Sequence, residues 1–338
     1  RIAAGYGVRR SIKWGTIKMK AFLKKSSNLL WKSSAQLILV ALIIFFGIEC
    51  KGSFFTVNNL ISIVRQVSTM GIAALGISFL MISGNLDFST GQVYAFVGTL
   101  TAWLYSIGIN IVLAMLLGLV GGIAIFCLTC WISSQFNISR LVISMAVGTA
   151  VSGLSCIIAS NKTIYGLPEG IKWLGQGYLF DVIPISMILF FVLALVVAFV
   201  LKKTYLGRYL FAVGGSEDVA RLSGINVNKI KYVASIIAGL LVGFAGLVCM
   251  SRTFSGSPFA GGSLSTDVIS AALLGGVSVP GGTGKTSGIV TGVIIIGTLS
   301  VGLNMMGLNS NSQDIFKGAM MMLAVIIDSA SKKRSAKN

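Results

Sequence analysis

The chain has 338 residues, 55% of them hydrophobic and 11% charged, with a formal net charge of +18. A soluble domain carries about 25% charged residues, so this composition, with a mean hydropathy of +0.89, excludes a soluble globular enzyme and points to a polytopic helical membrane protein. Histidine is absent and the nine acids are scattered, which removes Ser-His-Asp and Cys-His catalysis and His-ligated metal and leaves a multi-carboxylate metal site without support.

The basic residues are placed, not spread. Of the 27, nine lie in 1–33, six in 202–231 and four after Asp328. That is the pattern of cytoplasmic loops on a membrane protein and not of a nucleic-acid-binding surface. The chain divides accordingly into a basic cytoplasmic segment (1–33), a transmembrane domain (34–328) holding a cytoplasmic loop at 202–231, and a basic cytoplasmic tail (329–338). Met19-Lys-Ala-Phe-Leu-Lys-Lys reads as a bacterial start, which would make residues 1–18 an extension of the natural chain.

The apolar pattern predicts an all-α protein with ten spans, near 34–50, 60–83, 89–105, 110–131, 139–159, 182–201, 232–251, 266–279, 287–307 and 314–328. The eighth and tenth are short. A single crossing needs about 20 apolar residues, and the 52 residues from Phe88 to Ser139 contain no charge at all. With the N-terminus inside, cytoplasmic segments hold 20 basic residues and outer loops four, so both termini are expected in the cytoplasm.

Small residues recur four apart at Gly118/Gly122, Ser235/Gly239/Gly243 and Gly288/Gly292, a spacing that lets helices approach closely in lipid. Arg65 and Arg140 fall within spans and are expected to pair with an acid or a carbonyl, or to snorkel. Cys127-Leu-Thr-Cys130 has metal or redox spacing but lies in an apolar helix with no second pair. The segment Tyr165 to Tyr178 belongs to the longest outer loop and offers a surface for an external protein.

The break Ile82-Ser-Gly-Asn-Leu-Asp-Phe-Ser-Thr-Gly91 places Asn85, Asp87 and Ser89 between two apolar runs, at the inner end of spans two and three. An acid near membrane depth is a functional candidate, and so is Asp267 at the start of span eight. These four residues are the candidates for a pathway or gating role, with an interfacial cap as the structural alternative for Asp87.

The loop 202–231 carries the clearest punctuation. Gly214 and Gly215 break the chain. Ser216 is a good N-cap, and Glu217 and Asp218 suit the positive end of a helix. Ala220 follows. Arg221 stands four residues after Glu217, where the two can pair. Leu222 and Ser223 complete the helix, and Gly224 suits its stop. The spacing predicts about two turns of helix outside the membrane, suited to entering a groove on a partner. Further on, Gly281-Gly-Thr-Gly-Lys-Thr286 looks like a phosphate-binding loop, but the Gly that pattern requires first is Val279. A tight inner turn is the better reading.

The stretch from Thr204 to Val227 resembles the coupling region of permease subunits of ribose-type ABC importers. It matches at Thr204, Gly207, Arg208, Ala212, Gly214, Ala220, Arg221, Leu222, Ser223, Gly224, Ile225 and Val227. It departs at Ser216, where Asn is usual, and at Val219, where Ala is usual. Ile82–Gly91 resembles a second stretch of that family, with Asn85 for a Gly, and Asp267–Gly284 a third. Asn137–Gly148 departs most, lacking the family's proline and adding Arg140.

The resemblance implies a permease of the type II importer kind in the bacterial plasma (inner) membrane, binding no cofactor. It implies a second permease subunit (the same or related), two cytoplasmic ATP-binding subunits and an extracytoplasmic solute-binding protein. In this reading residues 214–224 couple ATP-driven movement to the spans, and ATP hydrolysis lies on the partner. The scarcity of fixed charge in the spans favours a neutral solute such as a monosaccharide. The alternative is an ion-coupled secondary transporter, which also has about ten spans.

Overall fold

The structure, a computed structural model, describes residues 34–50, 52–180 and 182–322. The basic segment 1–33, the tail 329–338 and the last residues of the tenth expected span lie outside them. Six helices are long and apolar enough to cross a membrane: α2 (Val57–Ile82), α4 (Ile111–Phe136), α5 (Arg140–Ile158), α7 (Ile185–Lys203), α10 (Val227–Thr253) and α12 (Thr286–Met305). The other four expected spans fall on shorter helices: α1 (Ser34–Glu49), α3 (Thr90–Ser106), α11 (Leu264–Leu274) and α13, helical over 310–322. At about 1.5 Å per residue, the 11 residues of α11 reach about half of a hydrocarbon core near 30 Å thick.

Burial sorts the helices. The apolar stretches of α10, α12 and α2 are 72%, 67% and 61% buried, against 28% for α7 and 22% for α4 and α5. The first three form the centre; the last three turn apolar side chains outward, the expected face toward lipid. The small-residue rows bring the centre against its neighbours, α10 against α4 and α12 against α11. Gly239 of α10 lies where an added Cβ would come within 2.7 Å of Ile123 Cα in α4, so those backbones touch.

The opposite end from 204–226 is tied down by polar contacts. The short α6 (Lys172–Gly175) precedes a hairpin of β1 (Tyr178–Leu179) and β2 (Ile183–Pro184). The Gly175 amide donates to Ser251 Oγ (2.7 Å), Gln176 Nε2 donates to the Arg252 carbonyl (3.0 Å), and Arg65 Nη2 donates to the Gln176 carbonyl (3.1 Å). Tyr165, Trp173 and Phe180 stand exposed there.

Two stretches between helices run along the bundle instead of capping it. Residues 83–89 leave α2 through Gly84 at φ +80°, the positive φ that Gly adopts at no cost; Asn85 keeps negative φ, so its substitution for Gly is accommodated. Residues 254–263 leave α10, and Gly256 exchanges both backbone hydrogen bonds with Ile164. The stretches meet where Ser265 Oγ donates to the Phe88 carbonyl and accepts from the Gly91 amide, both at 2.8 Å. The break at Asp87 thus runs from the end of α2 to the neighbourhood of α11.

Candidate coupling site and buried ion pairs

The segment 204–226 folds as two helices. Thr204 caps α8 (Tyr205–Gly215), its hydroxyl accepting from the Gly207 amide at 3.3 Å. Ser216 then caps α9 (Glu217–Leu222), its hydroxyl accepting from the Val219 amide at 3.4 Å, with Glu217 and Asp218 in the first turn. The stop is a Schellman motif. The Ile225 amide donates to the Ala220 carbonyl and the Gly224 amide to the Arg221 carbonyl, both at 3.0 Å, while Gly224 takes φ +81°.

The side of α9 that faces its own protein is Ala220, which is buried. The opposite side presents Val219 and Leu222, and Leu222 is 89% exposed. Glu217 does not pair with Arg221. It makes an ion pair at 2.5 Å with Lys231 on α10, anchoring α9 to the first turns of the most buried helix.

Gly214 fixes α8 to the rest. A Cβ there would overlap the Ile82 carbonyl oxygen and lie 2.5 Å from the Gly282 nitrogen. The Gly282 amide donates to the same Ile82 carbonyl at 2.8 Å. Three backbones thus touch at one point: the end of α8 just before α9, the end of α2, and the turn between α11 and α12. The turn containing Gly281–Thr286 is spent on this junction, with Gly281 and Gly282 at φ +93° and +74°. The Gly282 amide, which a phosphate loop would direct at an anion, is already used.

A cleft of about 990 Å3 opens beside α9, lined among others by Asn85, Asn137, Arg140, Glu217, Arg221 and Lys231. Asn85 and α9 therefore share one surface. Behind it lies a buried charge network. Arg140 Nε donates to Asp87 Oδ2 at 2.9 Å. Asp87 Oδ1 accepts from the Ser89 amide (2.9 Å) and Ser89 Oγ (2.5 Å). Arg140 Nη1 donates to Ser235 Oγ at 2.7 Å. Asp87 and Ser89 are fully buried.

Asp267 lies elsewhere, with Lys317 Nζ donating to its Oδ2 at 2.8 Å. The pathway candidates accordingly form two groups: Asn85, Asp87 and Ser89 toward α9, and Asp267 on the other side of the Phe88–Ser265 contact. Sequence reasoning expected Arg140 to pair with an acid or a carbonyl without saying which. It missed Lys317 and Ser235 as partners. No local spacing links residues 50 or more positions apart. The cysteines are free, and Cys127 and Cys130 lie on α4 as small packing residues.

A family model described as the permease component of the branched-chain amino acid transport system matches residues 59–325. The chain belongs to this permease family. It is 33% identical over 313 residues to ribose import permease protein RbsC of Escherichia coli (strain K12), covering 91% of this chain and 95% of that one. It is 35% identical over 288 residues to RbsC of Bacillus subtilis (strain 168), covering 84% and 88%. It is 28% identical over 379 residues to xylose transport system permease protein XylH of Haemophilus influenzae, covering 93% and 100%. The permease is a multi-pass protein of the plasma membrane, with the segment 204–226 and both buried acids inside the matched range.

Proposed function

We propose that this permease forms the translocation pathway of an ATP-driven importer for a small polar solute, a neutral monosaccharide. The relatives named for ribose and xylose support that class. Ten crossings, the eighth made by residues 254–263 together with α11, carry the chain through the membrane with both termini in the cytoplasm. A second permease subunit, the same or related, completes the pathway. Two ATP-binding subunits sit in the cytoplasm, and a solute-binding protein docks outside, where Tyr165, Trp173 and Phe180 stand exposed.

The observation that carries the reading is α9. It is capped at both ends, it turns Val219 and Leu222 outward, and Gly214 joins it backbone to backbone with the end of α2. An amphipathic knob of this kind suits a groove on a partner. Closure of the ATP-binding subunits would push α9, and the glycine junction would pass that displacement to α2 and to the turn before α12. Asp87 with Ser89, and Asp267, hold the two breaks in register as the spans shift. ATP binding then shifts the balance between conformations of this chain, which performs no chemistry itself.

The test is co-purification. The detergent-solubilised permease should retain its ATP-binding subunit. Both the triple variant Glu217→Arg, Arg221→Glu, Gly224→Pro and the single variant Leu222→Asp should lose it. Leu222 is exposed, so the single variant keeps the melting temperature of the wild type. Retention of the subunit by both variants would sink the assignment.

A further inference from the structure

The cleft beside α9, about 990 Å3 in volume, lies on the side of that helix away from Val219 and Leu222. Glu217 and Arg221, four positions apart, line it. With 3.6 residues to a turn, Val219 and Leu222 fall on the opposite face of α9. A partner that takes up this apolar knob therefore leaves the cleft open.

The wall carries more positive than negative charge. Arg140, Arg221 and Lys231 line it against one acid, Glu217. Glu217 is spent on Lys231, and Arg140 is spent on Asp87 behind the wall. Arg221 is exposed, and its side chain has no hydrogen bond or ion pair among the described residues. Its charge is the one left over.

Two helices also start at this wall. Ser139, Arg140 and Leu141 open α5, and Asn226, Val227 and Asn228 open α10; all six line the cleft. The backbone amides of Arg140 and Leu141, and those of Val227 and Asn228, have no acceptor among the described residues. Helix ends with such amides carry positive partial charge, which reinforces Arg221.

One rim of the cleft is apolar. Ile138 and Leu141 line it and are exposed. Phe136 at the end of α4, with Val142 and Met145 on α5, continues that exposed surface. This is the outer face of α4 and α5, the one expected to meet lipid. The cleft thus opens on hydrocarbon at one rim and on an uncompensated cation at the other. A molecule with both a phosphate anion and acyl chains fits the two rims together. A soluble anion leaves the apolar rim wet, and a zwitterionic headgroup brings its own ammonium against Arg221.

We infer that this cleft binds an anionic phospholipid. Its headgroup phosphate sits beside Arg221 and the starts of α5 and α10, and its acyl chains run along Ile138, Leu141, Val142 and Met145. Basic pockets between membrane helices suit such headgroups. A phosphate held there ties α9 to the bilayer. The assignment goes beyond the importer reading and holds whatever solute is carried.

The test is lipid retention by the full-length permease. The protein is reconstituted in bilayers of phosphatidylglycerol and phosphatidylethanolamine in equal amounts, extracted in mild detergent, and its bound lipid is counted by native mass spectrometry. The wild type should keep phosphatidylglycerol in preference to phosphatidylethanolamine. Arg221→Gln and Asn228→Asp should each lower the bound phosphatidylglycerol about fivefold, and Asn228→Lys should raise it by a similar factor, the scale of one basic side chain near an anionic membrane surface. Asn228 is exposed and an acid suits the first turn of a helix, so Asn228→Asp keeps the fold. Opposite shifts from Asp and Lys at one position cannot come from damage to the structure. Millimolar glycerol 3-phosphate should displace no lipid. Equal retention of the two lipids by the wild type, unchanged retention in Arg221→Gln, or shifts of the same sign in the two Asn228 variants overturns the site. Displacement by glycerol 3-phosphate overturns the lipid assignment and gives the cleft to a soluble phosphate.

Discussion

Arg140 Nε and Asp87 Oδ2 lie 2.9 Å apart with side chains 2% and 0% exposed, joining the first residue of α5 to the break before α3. Both charges are also hydrogen-bonded to neutral groups, so neither end of the pair is orphaned. Removing one partner leaves the other buried and uncompensated, at a cost of about 3–5 kcal/mol. Asp87→Asn and Arg140→Met are each expected to lower the unfolding midpoint of the detergent-solubilised permease by that equivalent. The double variant should lose less than the sum of the two. Additive losses would show that the pair is not coupled.

Gly214 and Gly215 are neighbours with opposite demands. A Cβ at Gly214 would overlap the Ile82 carbonyl oxygen, whereas one at Gly215 meets nothing within 4 Å. Gly214→Ala should therefore reduce folded yield and loosen α9, and Gly215→Ala should leave both unchanged. Fluorescence-detected size-exclusion chromatography compares them directly. Equal behaviour of the two would contradict the three-backbone junction.

The stop of α9 depends on φ +81° at Gly224. An L residue there costs about 1–2 kcal/mol, and Asn tolerates this region better than Ala. Amide exchange over 217–225 should quicken in Gly224→Ala and less in Gly224→Asn. Protection unchanged in Gly224→Ala would mean that α9 does not depend on its C-terminal cap.

The Glu217–Lys231 pair is of another kind, because Glu217 is 42% exposed. Such pairs contribute about 0–1 kcal/mol and are screened by salt. Glu217→Gln should move the unfolding midpoint little, and less still at high ionic strength. A loss as large as that of Asp87→Asn would place this pair in the core of the fold.

What could be read from the sequence was what is local. The limits of α9 follow from Ser216 and Gly224, because a cap and a stop act on the residues beside them. The apolar runs located the helices for the same reason. Arg140 with Asp87 and Lys317 with Asp267 are separated by 53 and 50 residues, and only the packing of α5 against α3 and of α13 against α11 makes them neighbours. Glu217 shows the limit of helical spacing: Arg221 was in reach along α9, and Lys231 on α10 took the carboxylate. The unwound stretch at 83–89 was visible as a Gly and Ser cluster, whereas 254–263 was only the gap between two expected spans. That they meet each other through Ser265 was not visible, since nothing near Phe88 specifies a partner 177 positions away.

Where those stretches meet, Gly91 and Gly261 face each other with no side chain between them, and a Cβ on either would collide with the carbonyl oxygen of the other. Side chains cushion most helix contacts, because a rotamer can yield when two elements are pressed together. Main chain pressed on main chain has nothing to yield. The starts of α3 and α11 can slide past each other or part, but they cannot come nearer. For the importer cycle proposed above, this line is a hard stop set by van der Waals contact between the two main chains.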